Sequence, residues 1–227
     1  MSRPISDQSI VSGATRDRMR GLAVPVAKAL GRLGLTPNAL TVIGFVGTAT
    51  AAVAAGLQAW AFAGVLVLAF GIFDLFDGAL ARATGKASAF GAFLDSTLDR
   101  TGENLVLAGI AYGAAVAGYP VIAGLAGLAV AFSSVVTYTR AKAEALKLRG
   151  DVGVAPRPER LVILSIGLIL AGLPWSAPDA TAGTTLGIWT LGSTWLAIAL
   201  GLIAILSALT VLQRIFVVRR QLDHPTT

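Results

Sequence analysis

Six apolar runs separated by short polar connections restrict the fold of this chain more than any other feature of its sequence. They cover residues 39–57, 61–80, 88–116, 121–146, 161–173 and 186–211. Five of them contain 19 or more residues, close to or above the ~20 that an α-helix needs to cross a bilayer. The run 161–173 is short, so we expect its polar N-terminal turn to lie within the bundle. The sequence therefore predicts an all-α integral membrane protein with six transmembrane helices.

The composition supports the membrane class and excludes several kinds of chemistry. Charged residues make up only 13% of the 227 residues and hydrophobic residues 55%, whereas about a quarter of the residues of soluble proteins are charged. The chain has no cysteine, which excludes disulfides and thiolate chemistry. Its one histidine, His224, lies three residues from the C-terminus, which argues against a histidine-based catalytic site and against a zinc site.

The N-terminal residues 1–35 precede the first apolar run and carry six cations interleaved with apolar residues. This pattern predicts an amphipathic juxtamembrane helix lying on an anionic membrane surface. It does not fit a signal peptide, because no small-residue cleavage site follows a clean apolar core. For the first dozen residues, a disordered basic tail is the alternative. We therefore predict a basic N-terminal segment (1–35), a six-helix domain (36–218) and a cytoplasmic tail (219–227).

The distribution of the 18 Lys and Arg residues predicts the orientation in the membrane. They form four groups: Arg3, Arg16, Arg18, Arg20, Lys28 and Arg32; Arg82, Lys86 and Arg100; Arg140, Lys142, Lys147, Arg149, Arg157 and Arg160; and Arg214, Arg219 and Arg220. None lies in the turns after the first, third and fifth runs. Because Lys and Arg accumulate on the cytoplasmic side, both termini are predicted to be cytoplasmic, in a multi-pass protein of the plasma membrane. Cations placed in this way favour contact with anionic lipids and phosphate groups over nucleic acid.

Four aspartates near the second and third apolar runs are the most unusual charged residues of the chain. Asp74 and Asp77 end the second run, and Asp95 and Asp99 lie early in the third. Each pair is one helical turn apart and therefore shares a helix face, and an antiparallel hairpin brings the two pairs together. Carboxylate oxygens suit hard divalent cations, so we predict a site for two Mg²⁺ or Mn²⁺ ions that grip a diphosphate. Glu103 continues the second pair by one turn, and we expect it to support a ligand or pair with Arg100 rather than bind metal.

Three further residues of this stretch predict an anhydride-containing substrate at the membrane surface. Gly78 directly follows Asp77 and leaves room for a ligand. Arg82 lies one turn later and suits bidentate pairing with a phosphate. Gly91 precedes Asp95 by one turn, where a Cβ would obstruct the ligand or a facing helix.

The complete stretch resembles the signature of the CDP-alcohol phosphotransferase family. The matching positions read Asp74-x2-Asp77-Gly78-x2-Ala81-Arg82-x8-Gly91-x3-Asp95-x3-Asp99, and Thr36-Pro37-Asn38-x2-Thr41 is similar to the opening of the family's first helix. The resemblance implies transfer of a phosphatidyl or similar group from a CDP-linked lipid to an alcohol, with release of CMP, by a homodimer.

The resemblance also implies roles for individual residues. The four aspartates would hold two divalent metals, and Asp99 would be the general base on the acceptor hydroxyl. The residues implied to contact the cytidine nucleotide of the CDP-lipid are Asn38, Ala39, Leu40, Thr41, Gly78, Arg82 and Ser88.

The acceptor is predicted from a cluster of cations at the junction of the fourth and fifth runs, namely Arg140, Lys142, Arg157 and Arg160. Such a cluster suits an anionic, phosphorylated acceptor, although ordinary positive-inside placement is the alternative. The segments 138–144 and 151–160 resemble those of the actinobacterial phosphatidylinositol phosphate synthases, with the Lys and Arg of the first segment exchanged at Arg140 and Lys142. This resemblance implies that CDP-diacylglycerol and inositol phosphate are the substrates.

Two other functions are compatible with parts of the pattern. A phosphatidylglycerophosphate synthase would also need an anionic acceptor, here glycerol phosphate. A metal-ion transporter would also hold carboxylates, but near the midplane and often in repeated, broken helices. The aspartates of this chain lie at one membrane face and no repeat is evident, so the transporter is less favoured.

Overall fold

The computed structural model describes residues 25, 29, 31–32, 34–154, 156–173 and 191–223, with only the backbone described at 74, 75 and 191. Most of the predicted amphipathic segment 1–35 and His224 lie outside the described residues.

The described residues contain six long helices and no β-strand. The helices are α1 (Pro37–Gly56), α2 (Trp60–Thr84), α3 (Ala89–Val116), α4 (Pro120–Ala145), α5 (Arg157–Ala171) and α6 (Leu191–Asp223). The all-α class is confirmed, and each helix overlaps one predicted apolar run. The last helix continues through residues 219–223, which we predicted to begin the C-terminal tail.

Local capping explains where the helices at the aspartates begin and end. Thr36 caps α1, because its Oγ1 accepts the Ala39 N–H at 3.2 Å, and Pro37 occupies the first turn, where it lacks only an N–H that would have no helical partner. Helix α2 ends at Thr84 and is capped by Gly85, whose φ of 64° is left-handed and suits glycine. Ser88 then caps α3. The short α2–α3 connection places the aspartate-bearing ends of both helices side by side, at what we call the aspartate end of the bundle.

The helices are arranged as a closed ring. Each packs extensively against two others, in the order α1, α2, α5, α6, α4, α3 and back to α1. The main hydrophobic core includes side chains from all six helices, among them Ala51, Val67, Ile110, Ala126, Leu168 and Leu200.

Glycines of α3 allow it to approach α1 closely. A Cβ at Gly109 would lie 2.2 Å from the Ala52 carbonyl oxygen, and one at Gly113 would lie 2.3 Å from that of Ala55. Side chains at these positions would force the helices apart. This close packing of backbones is typical of membrane helices, which associate through small residues.

Four of the helices, α1, α2, α4 and α6, are long and apolar enough to cross a membrane. Helix α3 is long enough but less apolar, because every stretch of 18 residues within it contains the three charged residues Asp99, Arg100 and Glu103. Helix α5 has 15 residues and is about 22 Å long at 1.5 Å per residue, less than the ~30 Å of a hydrocarbon core. Its polar first turn lies inside the bundle as predicted, because Glu159 and Arg160 are both buried.

Candidate functional site

A cavity opens at the aspartate end between α1, α2 and α3. Its volume is about 190 Å³. The lining residues come from the start of α1, the end of α2, the connection and the start of α3: Pro37, Asn38, Thr41, Asp77, Gly78, Ala81, Arg82, Lys86, Ala87, Ser88, Gly91, Ala92 and Asp95. The structure therefore brings together residues of the two segments in which we predicted the nucleotide and metal sites.

Asp77 is held in place by a hydrogen bond from α1. Its side chain is buried, with 6% exposed, and its Oδ2 accepts the Thr41 hydroxyl at 2.8 Å. Thr41 is itself buried, on the second turn of α1. Thr41 was predicted to contact the nucleotide, and in the structure its hydroxyl also orients an aspartate.

Most of the predicted CDP-lipid contacts line this cavity, and two do not. Asn38, Thr41, Gly78, Arg82 and Ser88 lie in its wall. Leu40 is 1% exposed and packs with Ala79 and Leu80 in a small core between α1 and α2. The Ala39 N–H is used by the Thr36 cap. The run 38–41 is helical, so consecutive side chains point in different directions and only two of the four reach the cavity wall.

The two glycines of the signature occupy different environments. A Cβ at Gly91 would lie 3.1 Å from both Asn38 Oδ1 and Ser88 Oγ, so this glycine permits close contact between the starts of α1 and α3. A Cβ at Gly78 would lie 3.4 Å from Arg82 Nη1, because the guanidinium folds back along α2. Of the two reasons proposed for Gly91, contact with a facing helix is the one that the structure shows.

Lys86 is a cavity-lining cation that the sequence analysis counted only toward membrane orientation. It lies in the short connection between α2 and α3. Its position between the two aspartate pairs was the available signal, because any side chain in so short a connection stays near both helix ends.

A second group of charges connects α3 with α5. Arg157 Nη1 donates to Asp99 Oδ2. One turn further along both helices, Arg160 donates to Glu103 through Nε at 3.0 Å and Nη2 at 3.1 Å. Asp99 therefore connects α3 to Arg157, a member of the predicted acceptor cluster. The partner of Glu103 is Arg160, and not Arg100 as the sequence analysis considered.

The other two cations of the predicted acceptor cluster lie at the exposed end of α4. Arg140 pairs with Glu144 at 2.8 Å, with about half of each side chain exposed (52% and 56%). Lys142 is also exposed. The contacts described for Asp99 and Glu103 do not include these two side chains, and their role in acceptor binding stays a prediction.

Arg214 of α6 is a buried residue that the sequence analysis grouped with the cations of the membrane surface. Its Nε donates to the Val152 carbonyl at 2.8 Å and its Nη1 to the Val136 carbonyl. Gln221 makes reciprocal hydrogen bonds with the backbone of Arg149, at 2.9 and 3.0 Å. Helix α6 thereby holds the end of α4 and the segment that leads to Arg157.

The donor chemistry of the aspartate end fits divalent cations, because Asp77 and Asp95 present carboxylates to one cavity. The side chain of Asp74 is not described, and its backbone lies on α2 one turn before Asp77. Among the described side chains, no group of three acidic or histidine residues lies close enough together to hold an ion. A site formed by all four aspartates stays a prediction.

The Thr41–Asp77 hydrogen bond leads to a test of metal binding. We expect Thr41→Val to weaken Mn²⁺ binding by about 10–100-fold, the usual effect of removing a group that orients a ligand. Thr41→Ser keeps the hydroxyl and should bind nearly as the natural protein does. Mn²⁺ titration of both purified variants, followed by electron paramagnetic resonance, makes the comparison. Equal affinities for the two variants would contradict a role of Thr41 in orienting Asp77.

The chain is similar to known proteins of one enzyme family. The sequence model of the CDP-alcohol phosphatidyltransferase family matches residues 34–203. The phosphatidylinositol phosphate synthase of Mycolicibacterium smegmatis is 39% identical over 211 residues, which cover 90% of this chain and 87% of that protein. The archaetidylinositol phosphate synthase of Pyrococcus horikoshii is 36% identical over 202 residues, covering 87% of this chain and 91% of that protein.

The fold of this chain is similar to that in two crystal structures of the phosphatidylinositol phosphate synthase of Mycobacterium tuberculosis. The complex with manganese and citrate has a TM-score of 0.74 and 31% identity, covering 87% of this chain and 88% of that chain. The complex with CDP-DAG also has a TM-score of 0.74 and 31% identity, covering 86% of this chain and 92% of that chain.

Proposed function

Because this chain belongs to the CDP-alcohol phosphatidyltransferase family, we propose that it transfers the phosphatidyl group of CDP-diacylglycerol to inositol phosphate. The products are phosphatidylinositol phosphate and CMP. The observation that carries the proposal is the contact of Arg157 with Asp99. In the proposed mechanism Arg157 binds the phosphate of the acceptor and Asp99 takes the proton of its hydroxyl.

The relatives support the choice of acceptor. The M. smegmatis and P. horikoshii proteins are named for phosphatidyl and archaetidyl products, and both names include inositol phosphate. The shared part of the two names is thus the acceptor. A bacterial diacylglycerol lipid as donor is supported by the CDP-DAG complex of the M. tuberculosis enzyme.

The proposed site for the CDP end of the donor is the cavity between α1, α2 and α3. Arg82 and Lys86 in its wall supply positive charge for the diphosphate. Asn38 and Ser88 supply neutral polar groups for the cytidine. The acyl chains of the donor would lie in the bilayer, against the exposed apolar faces of the helices.

The proposed cofactors are two divalent cations, Mg²⁺ or Mn²⁺, held by Asp74, Asp77, Asp95 and Asp99. When bound, such ions neutralise the diphosphate and the charge that develops as its anhydride bond breaks. The manganese complex of the M. tuberculosis enzyme supports divalent metal use.

The chemical step joins two sites that meet at Asp99. The acceptor hydroxyl oxygen attacks the phosphorus that carries the diacylglycerol, in line with the anhydride bond. The bond from this phosphorus to the oxygen of the CMP phosphate breaks, and CMP leaves with the electron pair. Asp99 takes the hydroxyl proton. Arg157 holds the acceptor's own phosphate and so orients the hydroxyl, and positioning of this kind supplies a large part of the rate.

The proposed arrangement in the membrane follows the charge distribution. The six helices together form the transmembrane bundle, in which α3 and the short α5 keep charged residues inside the ring. The segment 1–35 lies on the cytoplasmic surface as an amphipathic helix. Both termini and the aspartate end face the cytoplasm, where soluble inositol phosphate is available and CMP can be released. Residues 36–218 form the catalytic domain and 219–227 the tail. The protein is a homodimer of the plasma membrane.

An assay with purified protein tests this function. We expect CMP release from CDP-diacylglycerol when inositol phosphate and Mg²⁺ or Mn²⁺ are present, and none after chelation. Glycerol phosphate is the matched acceptor, because it carries the same charged group on a smaller alcohol. Product formed only with glycerol phosphate would overturn the assignment in favour of a phosphatidylglycerophosphate synthase. Metal flux in proteoliposomes without CMP release would instead favour a transporter.

A further inference from the structure

The buried ion pair between Glu103 and Arg160 is outside the aspartate signature. The exposed fractions of the two side chains are 7% and 4%, and Arg160 Nε and Nη2 each reach a different oxygen of Glu103. Bidentate pairing of this kind fixes the orientation of both groups. A buried charge that loses its partner is strongly unfavourable, so Arg160 is held at Glu103.

This pair connects two helices that meet across the ring. Among the described residues, α5 packs extensively on α2 and α6, and α3 packs extensively on α1 and α4. Two ion pairs of the described residues connect α3 with α5 directly, Asp99 with Arg157 and Glu103 with Arg160. Glu103 follows Asp99 by four residues, and Arg160 follows Arg157 by three. The two pairs therefore stack one turn apart on the same helix faces.

The stacking means that the deeper pair determines where the outer one lies. With Arg160 anchored on Glu103, the rotation of α5 about its axis is restricted relative to α3. Arg157, one turn nearer the aspartate end, is then directed toward Asp99. Because Arg160 uses two of its donor groups on Glu103, it is less suited to bind the acceptor phosphate than the sequence analysis predicted.

We propose that Glu103 is a positioning residue for the acceptor, which acts through Arg160 to hold Arg157 beside Asp99. The inference rests on the proposed function, in which Arg157 binds the acceptor phosphate. Glu103 itself touches neither substrate. Its effect is on the acceptor site and not on the nucleotide cavity, whose lining comes from α1, α2 and α3 without α5.

Steady-state kinetics of Glu103→Gln test the proposal. We expect the KM for inositol phosphate to rise about tenfold or more, since small displacements at a reacting site have effects of this size or larger. The KM for CDP-diacylglycerol should stay within about twofold. A merely structural role would lower the folded fraction and hence the apparent kcat, and would leave both KM values unchanged. Asp223→Asn is the matched control, because it breaks an exposed ion pair with Arg219.

A double-mutant cycle separates action through Arg157 from independent action. If Glu103 acts through Arg157, Glu103→Gln should add little to the acceptor KM of Arg157→Gln, whereas independent effects would multiply. Multiplied effects, or an unchanged acceptor KM in folded Glu103→Gln, would overturn the proposal. If Glu103→Gln does not fold, Glu103→Asp is measured against the same criteria, because it keeps the charge but shortens the reach.

Failure of this inference can be distinguished from failure of the proposed function. If the natural protein uses only glycerol phosphate, the assigned acceptor is wrong. The same cycle with glycerol phosphate then tests the positioning role, because that acceptor also carries a phosphate for Arg157. A selective rise in its KM supports the inference, and an unchanged KM overturns it.

Discussion

Replacing Asp95 with asparagine is expected to lower CMP release by about a thousandfold or more while the protein stays folded. Asp95 lines the cavity together with Asp77, and asparagine has nearly the same size without the negative charge. A bound divalent ion contributes several kcal/mol of charge stabilisation in reactions of this class, and each ~1.4 kcal/mol corresponds to a factor of ten in rate. Radiolabelled CDP-diacylglycerol with inositol phosphate measures the rate.

The control for this variant is Asp223→Asn, which removes a carboxylate of the same kind from the exposed end of α6. It should retain the activity of the natural protein. Thermal melting in detergent checks that Asp95→Asn is folded. A folded variant that keeps a rate within about tenfold of the natural protein would remove the metal hypothesis, because the loss of a ligand carboxylate should have a larger effect.

Arg157→Gln is expected to raise the KM for inositol phosphate by about a hundredfold and to leave CDP-diacylglycerol binding nearly unchanged. Truncating one partner of a buried, hydrogen-bonded charge pair at an interface costs about 2–5 kcal/mol. A hundredfold change is about 2.8 kcal/mol, in the lower part of this range, because ~1.4 kcal/mol is a factor of ten in affinity. Arg157 is on α5, outside the cavity wall assigned to the nucleotide, so the two substrates should respond differently. Kinetics with each substrate varied in turn measure the effect.

Arg149→Gln is the matched control for this prediction. Arg149 precedes Arg157 in the same polar segment, but 73% of its side chain is exposed. Its bonds to Gln221 come from its backbone and are not removed by the substitution. An equal rise in the acceptor KM for both variants would show that the effect is one of general positive charge at the membrane surface. Acceptor binding would then not depend on the contact between Arg157 and Asp99.

The position of the aspartate-bearing helix ends side by side was predictable because it depends on local features. The Thr36 cap, the left-handed Gly85, the Ser88 cap and the short connection each depend on residues close in sequence to the helix end that they set. They determine that α2 ends and α3 begins at the same end of the bundle. For this reason most of the residues that the sequence predicted for the cavity lie in its wall. Leu40 is excluded because successive side chains of a helix point in different directions.

The partners of the charged side chains were not predictable in the same way. Glu103 and Arg160 are 57 residues apart, and Arg214 and the Val136 carbonyl are 78 apart. Counting cations assigned Arg160 to acceptor binding and Arg214 to the membrane surface. Both are buried in the structure. Burial of a cation depends on which helix lies opposite it, and spacing along the chain carries no information about that.

The sequence by itself determined the all-α class, the approximate bounds of six helices and the convergence of the aspartate-bearing ends, because apolar run length and helix capping act over one or two turns. Only the tertiary structure decided that Thr41 orients Asp77, that α3 and α5 are joined by two stacked ion pairs, and that α6 holds the segment before Arg157. These contacts follow from the order of helices in the ring. That order is set by the packing of all six apolar surfaces at once, with glycines such as Gly109 allowing the closest approach.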